Sequence, residues 1–380
     1  MSYEVISALV LFGIGVVWAT VLGTWREYFS VNGMTGPAET KASKFSVSFV
    51  VPARNAAVTL VPLLQDLHAQ CIPKELTEVL VVDDGSEDGT VPVATGMQRT
   101  WPQLKVLSNT GEGKKAAITT GVSHASGELI VLTDADARFG PDRTALIVDK
   151  MEADGLDLLL LPVHTKAGRG ALGRIQEEEQ CGLLGVAAGE ALSGRPFLAN
   201  GANMAFRREA FAAVGGYKGD RFASGDDVFL VQRMALADKR IGYLLDQRAI
   251  VTVEAEQGLL AFVQQRLRWA GKMRGTKGAG VWFGLLGLML PWLLLWRTMQ
   301  VDAAALVEGN GPETIALLTC AWLLWIVPVL TLVGQVRRFL GLKGSWPISA
   351  LSYVAFCIYA PLIAVAALFV RPRWKGRRIR

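Results

Sequence analysis

Two short apolar runs, each ending in a pair of acidic residues, constrain the fold of this chain more than any other feature. Val79 to Val82 leads into Asp83-Asp84-Gly85-Ser86, and Leu129 to Leu132 leads into Thr133-Asp134-Ala135-Asp136. Short β-branched runs broken by Asp and Gly are typical of buried parallel strands. Because ligands of open α/β sheets bind at the carboxyl ends of such strands, we expect both acidic pairs to line one crevice.

Strand and helix patterns alternate around these runs, which predicts a mostly parallel, nucleotide-binding α/β sheet. The predicted strands are Phe45 to Val51, Thr77 to Val82, Leu104 to Leu107 and Leu129 to Leu132. The predicted helices are Ala56 to Ala69, Gly113 to Ser123, Ala171 to Ala188 and Gly258 to Ala270, the last of them basic at its end and interfacial.

The composition places part of the chain in lipid, because 51% hydrophobic and 19% charged residues depart from the values of soluble proteins. Met1 to Trp25 lacks the basic start and the small-residue cleavage site of a signal peptide, so we interpret it as an uncleaved anchor with its N-terminus outside. The four apolar segments are Val5 to Leu22, Val281 to Trp296, Thr314 to Val333 and Ile348 to Val370.

Charges beside these segments predict that the acidic pairs face the cytoplasm. The connector Val301 to Gly311 carries acidic residues and no Lys or Arg, whereas basic residues flank the other ends of the second and third segments. Three complete C-terminal spans would leave the basic tail, residues 371–380, outside. A hairpin at Pro291 or Pro361 would return the tail to the cytoplasm, which we favour.

The tail supplies much of the net charge of +5, and we interpret it as an anchor to anionic headgroups. We expect no nucleic-acid partner, because the soluble part has no basic face with interleaved aromatic residues. The patterns together divide the chain into an anchor (1–30), a linker (31–44), an α/β domain (45–256), an interfacial helix (257–278), an apolar region (279–370) and the tail.

Other phosphate and metal sites do not fit the sequence. Gly111-Glu112-Gly113-Lys114 is followed by no Ser or Thr and lacks the P-loop spacing, so it reads equally well as a helix start. Pro52-Ala53-Arg54-Asn55, after the first strand, lacks the glycine pattern of dinucleotide-binding turns. The four cysteines have no zinc-ligand spacing.

From Val47 to Lys272 the chain resembles the membrane-bound family 2 glycosyltransferases, which have a GT-A fold. The resemblance rests on Val51 to Asn55, Asp83 to Ser86, Gly113 to Ala117, Thr133 to Asp136, Gly225 to Asp227 and Gln265 to Trp269, in the family's order. It implies an integral protein of a bacterial inner membrane, with a catalytic domain in the cytoplasm. It also implies a UDP-sugar donor and bound Mn²⁺ or Mg²⁺.

The resemblance implies a role for each matching residue. Asp84 would contact the uracil, Asp134 the nucleotide, and Asp136, with Asp134, the metal; Pro52, Arg54 and Lys114 would complete the donor site. Asp227 would be the general base, supported by Asp226, and the motif containing Gln265, Arg268 and Trp269 would bind the diphosphate and the acceptor. Two positions depart from the family pattern: Ala56 replaces a Glu, and Asp226 is shorter than the usual Glu.

The chemistry of sugar transfer independently needs these residue types. Inverting transfer requires a carboxylate to take the acceptor's proton and a separate cation to hold the leaving diphosphate. Arg268 can donate two parallel hydrogen bonds to phosphate, and Trp269 can stack on a sugar or a lipid. Simpler interpretations stay open: Asp226-Asp227 as the start of a helix over Val228 to Ala237, and Arg268-Trp269 as an interfacial anchor.

The segment Arg195 to Arg207 is rich in glycine and small polar residues, which suit close approach to a sugar. We predict that Asn200, Gly201 and Asn203 form the floor of the donor or acceptor site; an ordinary connector is the alternative. For the whole protein we favour a lipid glycosyltransferase resembling ceramide glucosyltransferases. The alternatives are a processive polysaccharide synthase, of the chitin-oligosaccharide, poly-N-acetylglucosamine or hyaluronan type, and a membrane scaffold without activity.

Overall fold

The structure is a computed structural model that describes residues 3–32, 45–220, 224–276, 278–301, 311–343, 346–375 and 377–378. Most of the predicted linker and of the acidic connector therefore lies outside the described residues. The helices are α1 Tyr3–Asn32, α2 Ala57–His68, α3 Thr90–Gln98, α4 Lys114–His124, α5 Arg143–Ala153, α6 Ala171–Leu192, α7 Arg208–Ala213, α8 Asp226–Leu236, α9 Leu259–Met273, α10 Ala279–Met299, α11 Pro312–Phe339 and α12 Trp346–Ala366.

Nine strands build the α/β domain, and two short strands lie in the C-terminal tail. They are β1 Val47–Ala53, β2 Thr77–Asp83, β3 Leu104–Ser108, β4 Leu129–Leu132, β5 Leu158–Leu160, β6 Val163–Lys166, β7 Met204–Arg207, β8 Ile241–Tyr243, β9 Val251–Glu254, β10 Arg373–Trp374 and β11 Arg377–Arg378. The four predicted strands all form, with boundaries that differ by at most two residues.

Seven of these strands form one sheet in the order β3-β2-β1-β4-β7-β5-β8. β1 to β4 pair in parallel, whereas β7 runs antiparallel to both β4 and β5. Both faces of the sheet are covered by apolar side chains, which explains why β2 and β4 read as continuous apolar runs. The predicted α/β fold class is confirmed, and the carboxyl ends of β1, β2 and β4 meet at one edge.

Four of the described helices are long and apolar enough to cross a membrane: α1, α10, α11 and α12. They contact the α/β domain through α6, which packs against α1, α11 and α12. A glycine permits the closest approach, because a Cβ at Gly189 would lie 2.3 Å from the Cβ of Trp25. Glu178 and Glu179 of α6 are paired with Arg337 of α11 and Arg266 of α9, so this face of α6 packs within the protein.

The two ends of α12 contact different parts of the chain. Near its start, Ser349 Oγ donates a hydrogen bond of 2.8 Å to Glu178. Just after its end, the carbonyl of Ala367 accepts a bond of 3.5 Å from Arg274, which follows α9.

Candidate active site

Hydrogen bonds join the turn after β1 to the loop after β2 at the edge of the sheet. Arg54 is buried, and its Nη1 donates to the carbonyls of Asp84 at 2.6 Å and Gly85 at 2.8 Å. The Asp84 carboxylate accepts bonds from Asn109 Nδ2 at 2.7 Å and from the Gly113 amide at 2.9 Å. The structure therefore brings together Arg54 and Asp84, with Pro52 within β1 beside them.

Lys114, the first residue of α4, bridges two of the acidic motifs. Its Nζ lies 2.7 Å from Asp134 Oδ1 and 3.0 Å from Asp226 Oδ2. Burial acts to lower the pKa of Lys114, but the two carboxylates outweigh it and hold the pKa well above its ordinary value. Burial likewise acts to raise the pKa of Asp226, and Lys114 reverses the effect, so that this pKa is lowered. The glycine-rich segment is thus both a helix start and part of the site.

Asp136 is exposed to the crevice, two residues after the Lys114-bound Asp134. Enclosure in the crevice, together with the negative charge of Asp134, raises the pKa of Asp136 above its ordinary value. A divalent cation would relieve that repulsion, and carboxylate oxygens are the ligands that Mn²⁺ and Mg²⁺ prefer. Asp136 and Asp134 therefore fit a cation site whose remaining ligands would come from the donor's phosphates and water.

Asp226 and Asp227 form the first turn of α8, as the helix-start interpretation predicts. A position at the start of a helix is also compatible with a functional role. Asp227 is buried, and its two carboxylate oxygens lie 3.0 and 2.9 Å from Lys272 Nζ. Lys272 comes from the end of α9 and was not singled out as a site residue. Its contact with Asp227 could not be found from sequence spacing, because the two residues are 45 positions apart.

A cavity of about 520 Å³ lies between the α/β domain and the apolar helices. Asp227, Lys272 and Asn200 are among its lining residues. The rest of its wall is mainly apolar and comes from α1, α6, α10, α11 and α12. Representative apolar lining residues are Trp18, Leu22, Phe283, Leu332, Phe356 and Ile363. The carboxylate of Asp227, the predicted general base, therefore lies at the wall of this apolar cavity.

Residues of the motif Gln265 to Trp269 on α9 face two different surroundings, the acidic crevice and the apolar cavity. Arg268 faces carboxylates of the crevice: burial lowers its pKa, and Glu256, Asp134, Asp226 and Asp136 act to raise it. Trp269, the next residue, lines the apolar cavity. Successive residues of a helix point in directions about 100° apart, which explains the division. Gln265 Nε2 donates to Glu256 Oε1 at 2.9 Å.

The three residues predicted to form the floor of the site, Asn200, Gly201 and Asn203, do not all lie at the site. Asn200 lines the cavity, and Gly201 packs against Asp226 so closely that a Cβ there would lie 2.5 Å from Asp226 Oδ2. Asn203 lies in the core instead. Its amide accepts from Arg143 Nε at 2.9 Å and donates to the carbonyls of Pro162 and Ala249 at 2.8 and 3.0 Å.

Replacing Asn203 with alanine is expected to destabilise the domain by about 2–4 kcal/mol, because buried polar groups lose their partners. Arg143 is fully buried, and burial lowers its pKa to about 9. Loss of the Asn203 oxygen as an acceptor for Arg143 would therefore lower the stability of the domain. The measurement is thermal unfolding of the purified protein. Asn109→Ala, at the crevice, serves as the matched change; an equal or larger loss of stability in that variant would contradict the structural role of Asn203.

The C-terminal tail lies across the nucleotide crevice. Arg377 Nη1 contacts Asp84 Oδ2 at 3.1 Å, and Arg54 Nε donates to the carbonyl of Lys375 at 3.3 Å. The Arg373 amide donates to Gln264 on α9 at 2.8 Å. The interpretation of the tail as a headgroup anchor is therefore wrong for Arg377, because an acidic group of the protein holds its guanidinium.

Comparisons with known proteins show what the chain is similar to. Residues 48–215 match the family model described as glycosyl transferase family 2. A dolichyl-phosphate β-glucosyltransferase of Trichomonas vaginalis is 35% identical over 107 residues, which are 26% of this chain and 32% of that protein. An undecaprenyl-phosphate 4-deoxy-4-formamido-L-arabinose transferase of Salmonella enteritidis is 33% identical over 116 residues, 30% of this chain and 35% of that protein.

A poly-β-1,6-N-acetyl-D-glucosamine synthase of Staphylococcus epidermidis is 23% identical over 226 residues, 59% of this chain and 53% of that protein. The matched region thus spans about a third of the length of the two transferases and about half of the length of the synthase. Among solved structures, a mannosyltransferase from Pyrobaculum calidifontis, in complex with GDP-mannose and Mn²⁺, superimposes with a TM-score of 0.53 at 22% identity. The superposition covers 90% of this chain and 99% of that one.

The family match and the structural likeness cover the strands that carry the acidic motifs. Residues 48–215 are therefore similar to glycosyl transferase family 2 domains, and the chain has the GT-A fold together with apolar helices that could span a membrane.

Proposed function

We propose that the protein is an inverting glycosyltransferase that moves a sugar from a UDP-sugar to a lipid in the membrane. The observation that carries the proposal is the position of Asp227, which lines the apolar cavity and directly follows Asp226, the residue that Lys114 joins to Asp134 of the crevice. A donor in the crevice and a lipid in the cavity would meet at this carboxylate. The two relatives named for dolichyl-phosphate and undecaprenyl-phosphate support a lipid-linked acceptor.

On the donor side, Asp84 contacts the uracil in the pocket that Arg54 fixes. Lys114 and Arg268 lie beside the acidic motifs and offer cationic groups to the diphosphate. Asp136 and Asp134 would hold a divalent cation, which would supply positive charge to stabilise the leaving diphosphate. These positions hold the donor with its anomeric carbon towards Asp227.

On the acceptor side, Asp227 acts as the general base. The acceptor's hydroxyl oxygen forms a bond to the anomeric carbon from the face opposite the diphosphate. The bond from that carbon to the diphosphate oxygen breaks, and its electron pair leaves with UDP. The hydroxyl proton passes to Asp227, which Lys272 holds in place.

The second candidate function is a processive polysaccharide synthase, favoured by the likeness to the poly-N-acetylglucosamine synthase. The apolar lining of the cavity argues for lipid, because most hydroxyl groups of a polysaccharide would find no hydrogen-bond partner there. The deciding experiment incubates the purified full chain, in lipid-containing detergent with Mn²⁺, with a panel of radiolabelled UDP-sugars and partitions the products between butanol and water. Label in butanol supports the lipid acceptor; label in ethanol-insoluble material overturns it in favour of polymer synthesis.

Replacing Arg377 with alanine is expected to lower the KM for the UDP-sugar by up to about fivefold, with kcat unchanged. Arg377 occupies the carboxylate that the uracil needs, and a partly exposed ion pair is worth about 0.2–1 kcal/mol. Steady-state kinetics with varied donor measures the effect. Arg373→Ala, an equal change of charge at an exposed tail residue, is the control. A higher KM in Arg377→Ala would instead identify Arg377 as a nucleotide-binding residue.

A further inference from the structure

A second cavity, of about 610 Å³, lies between the apolar helices at the end where α1 and α11 carry basic residues. Its walls come from the last turns of α1, the second half of α11 and the first residue of α12. This cleft shares no lining residue with the cavity that Asp227 borders. A ligand in the cleft would therefore lie away from the reacting centre.

Two arginines line the cleft, and neither has an acidic partner in the described part of the chain. Arg26 lies near the end of α1, and Arg338 lies in the last turn of α11. Both side chains are exposed and form no ion pair or side-chain hydrogen bond among the described residues, whereas the neighbouring Arg337 is paired with Glu178. A Cβ at Gly334 would lie 3.9 Å from Arg338 Nη1, so the Arg338 guanidinium lies over the preceding turn. Two guanidinium groups thus offer hydrogen-bond donors to one cleft.

The helices that carry these arginines are joined beside the cleft. With its amide oriented to satisfy both neighbours, Gln335 of α11 donates to the carbonyl of Arg26 at 3.3 Å and accepts from Ser30 Oγ at 3.2 Å. These bonds fix the end of α1 against α11. The position of the Arg26 backbone relative to α11 is therefore set before any ligand binds.

An apolar track leads away from the arginines along α11. Val327, which is 47% exposed, and Leu330 line the cleft two to three turns before Arg338. Gly334 leaves a notch beside them, because a Cβ there would meet only Arg338 Nη1 within 4 Å. Trp346, 73% exposed at the start of α12, also lines the cleft. Tryptophan is enriched where a membrane meets water, so the cleft combines the surroundings of a headgroup with those of an acyl chain.

The charges of the cleft fit a phospholipid with one negative charge. Each guanidinium can donate two parallel hydrogen bonds to phosphate oxygens. Glu27, an exposed lining residue, forms no ion pair within the described ranges, so the cleft carries two positive charges and one negative charge. A phosphodiester balances this excess, and the hydroxyl groups of a glycerol headgroup can donate to Glu27. A zwitterionic headgroup would leave the excess positive charge unbalanced.

We propose that the cleft binds one molecule of an anionic glycerophospholipid, such as phosphatidylglycerol. Its phosphate lies between Arg26 and Arg338, and one acyl chain follows Val327 and Leu330. The bound lipid is neither donor nor acceptor of the sugar. It joins the ends of α1 and α11 to the start of α12 and stabilises their arrangement. The proposal does not depend on the reaction that the protein catalyses.

Thermal unfolding of the purified full chain tests the lipid class. The protein is delipidated in an uncharged detergent, and phosphatidylglycerol, phosphatidylethanolamine or phosphatidylcholine is added at equal mole fraction. A ligand that binds only the folded state raises Tm, and we expect phosphatidylglycerol to raise it by about 2–5 °C and the zwitterionic lipids by less than about 1 °C. Native mass spectrometry should retain one phosphatidylglycerol per chain. Equal shifts with the three lipids, or an equal shift with glycerol 3-phosphate alone, would overturn the assignment of a lipid headgroup site.

Three variants test the residues of the cleft. Arg26→Gln/Arg338→Gln removes both cations, and the control Lys343→Gln/Arg371→Gln removes the same charge from exposed residues outside the cleft. We expect the shift caused by phosphatidylglycerol to fall at least about fourfold in the first variant and to persist in the control. Gly334→Leu keeps both arginines and fills the notch. It should lose the shift without a lower Tm in pure detergent, because leucine favours a helix more than glycine does. An equal shift in the arginine variant and its control, or a parental shift in Gly334→Leu, would overturn the proposal.

Discussion

Replacing Asp227 with asparagine is expected to lower kcat by about 10²–10⁴-fold, the usual range for loss of a general base. Asparagine has nearly the same shape and still offers an oxygen to Lys272, but it cannot take the acceptor's proton. The donor site is built from other residues, so the dissociation constant for UDP should change by less than about threefold. The measurements are transfer of labelled sugar to lipid and calorimetric binding of UDP.

Loss of the Asp227 charge also leaves Lys272 without its carboxylate, which could reduce activity through misfolding alone. Asp66→Asn is the matched control, because Asp66 is likewise paired, with Arg138 at 2.6 Å, and lies on α2, outside the crevice and the cavity. Activity in Asp227→Asn within threefold of the parent would exclude Asp227 as the base. A large loss in the Asp66 variant would instead point to a general sensitivity of the fold.

Replacing Asp136 with asparagine is expected to lower kcat/KM by at least about 100-fold and to abolish the effect of Mn²⁺ on UDP binding. An amide oxygen is a weaker ligand for a hard cation than a carboxylate, and stabilisation of the leaving group by the cation contributes several kcal/mol. UDP binding, measured by calorimetry with and without Mn²⁺, separates this effect from a change in folding.

Glu87→Asn is the control for this second substitution. Glu87 is an exposed acid near the crevice, 3.6 Å from Arg54, and its replacement removes the same charge. UDP binding should keep its dependence on Mn²⁺ in that variant. If Asp136→Asn bound UDP as the parent does, with the same response to Mn²⁺, the predicted metal site would be excluded.

The sequence predicts the sheet and the acidic edge well because their determinants are local. An apolar run that ends in Asp-Asp or Asp-x-Asp specifies both a buried strand and the place where its polar end lies. For the same reason the start of α4 at Lys114 and of α8 at Asp226 could be anticipated from their glycines and charges.

Contacts between distant parts of the chain could not be predicted in this way. Lys272 meets Asp227 only because the end of α9 lies against the start of α8. Asn203 was expected at the site on composition, and the core placement of its amide depends on Arg143, 60 residues earlier.

The path of α12 has a kinetic consequence. Phe356 and Ile363 of this helix form part of the cavity wall, and the chain that leaves the helix at Ala366 brings Arg377, eleven residues later, to Asp84. A ligand that displaced α12 would act on the segment that carries this cation. We expect the two substrates to bind in a preferred order, with the KM for the UDP-sugar falling as the lipid concentration rises.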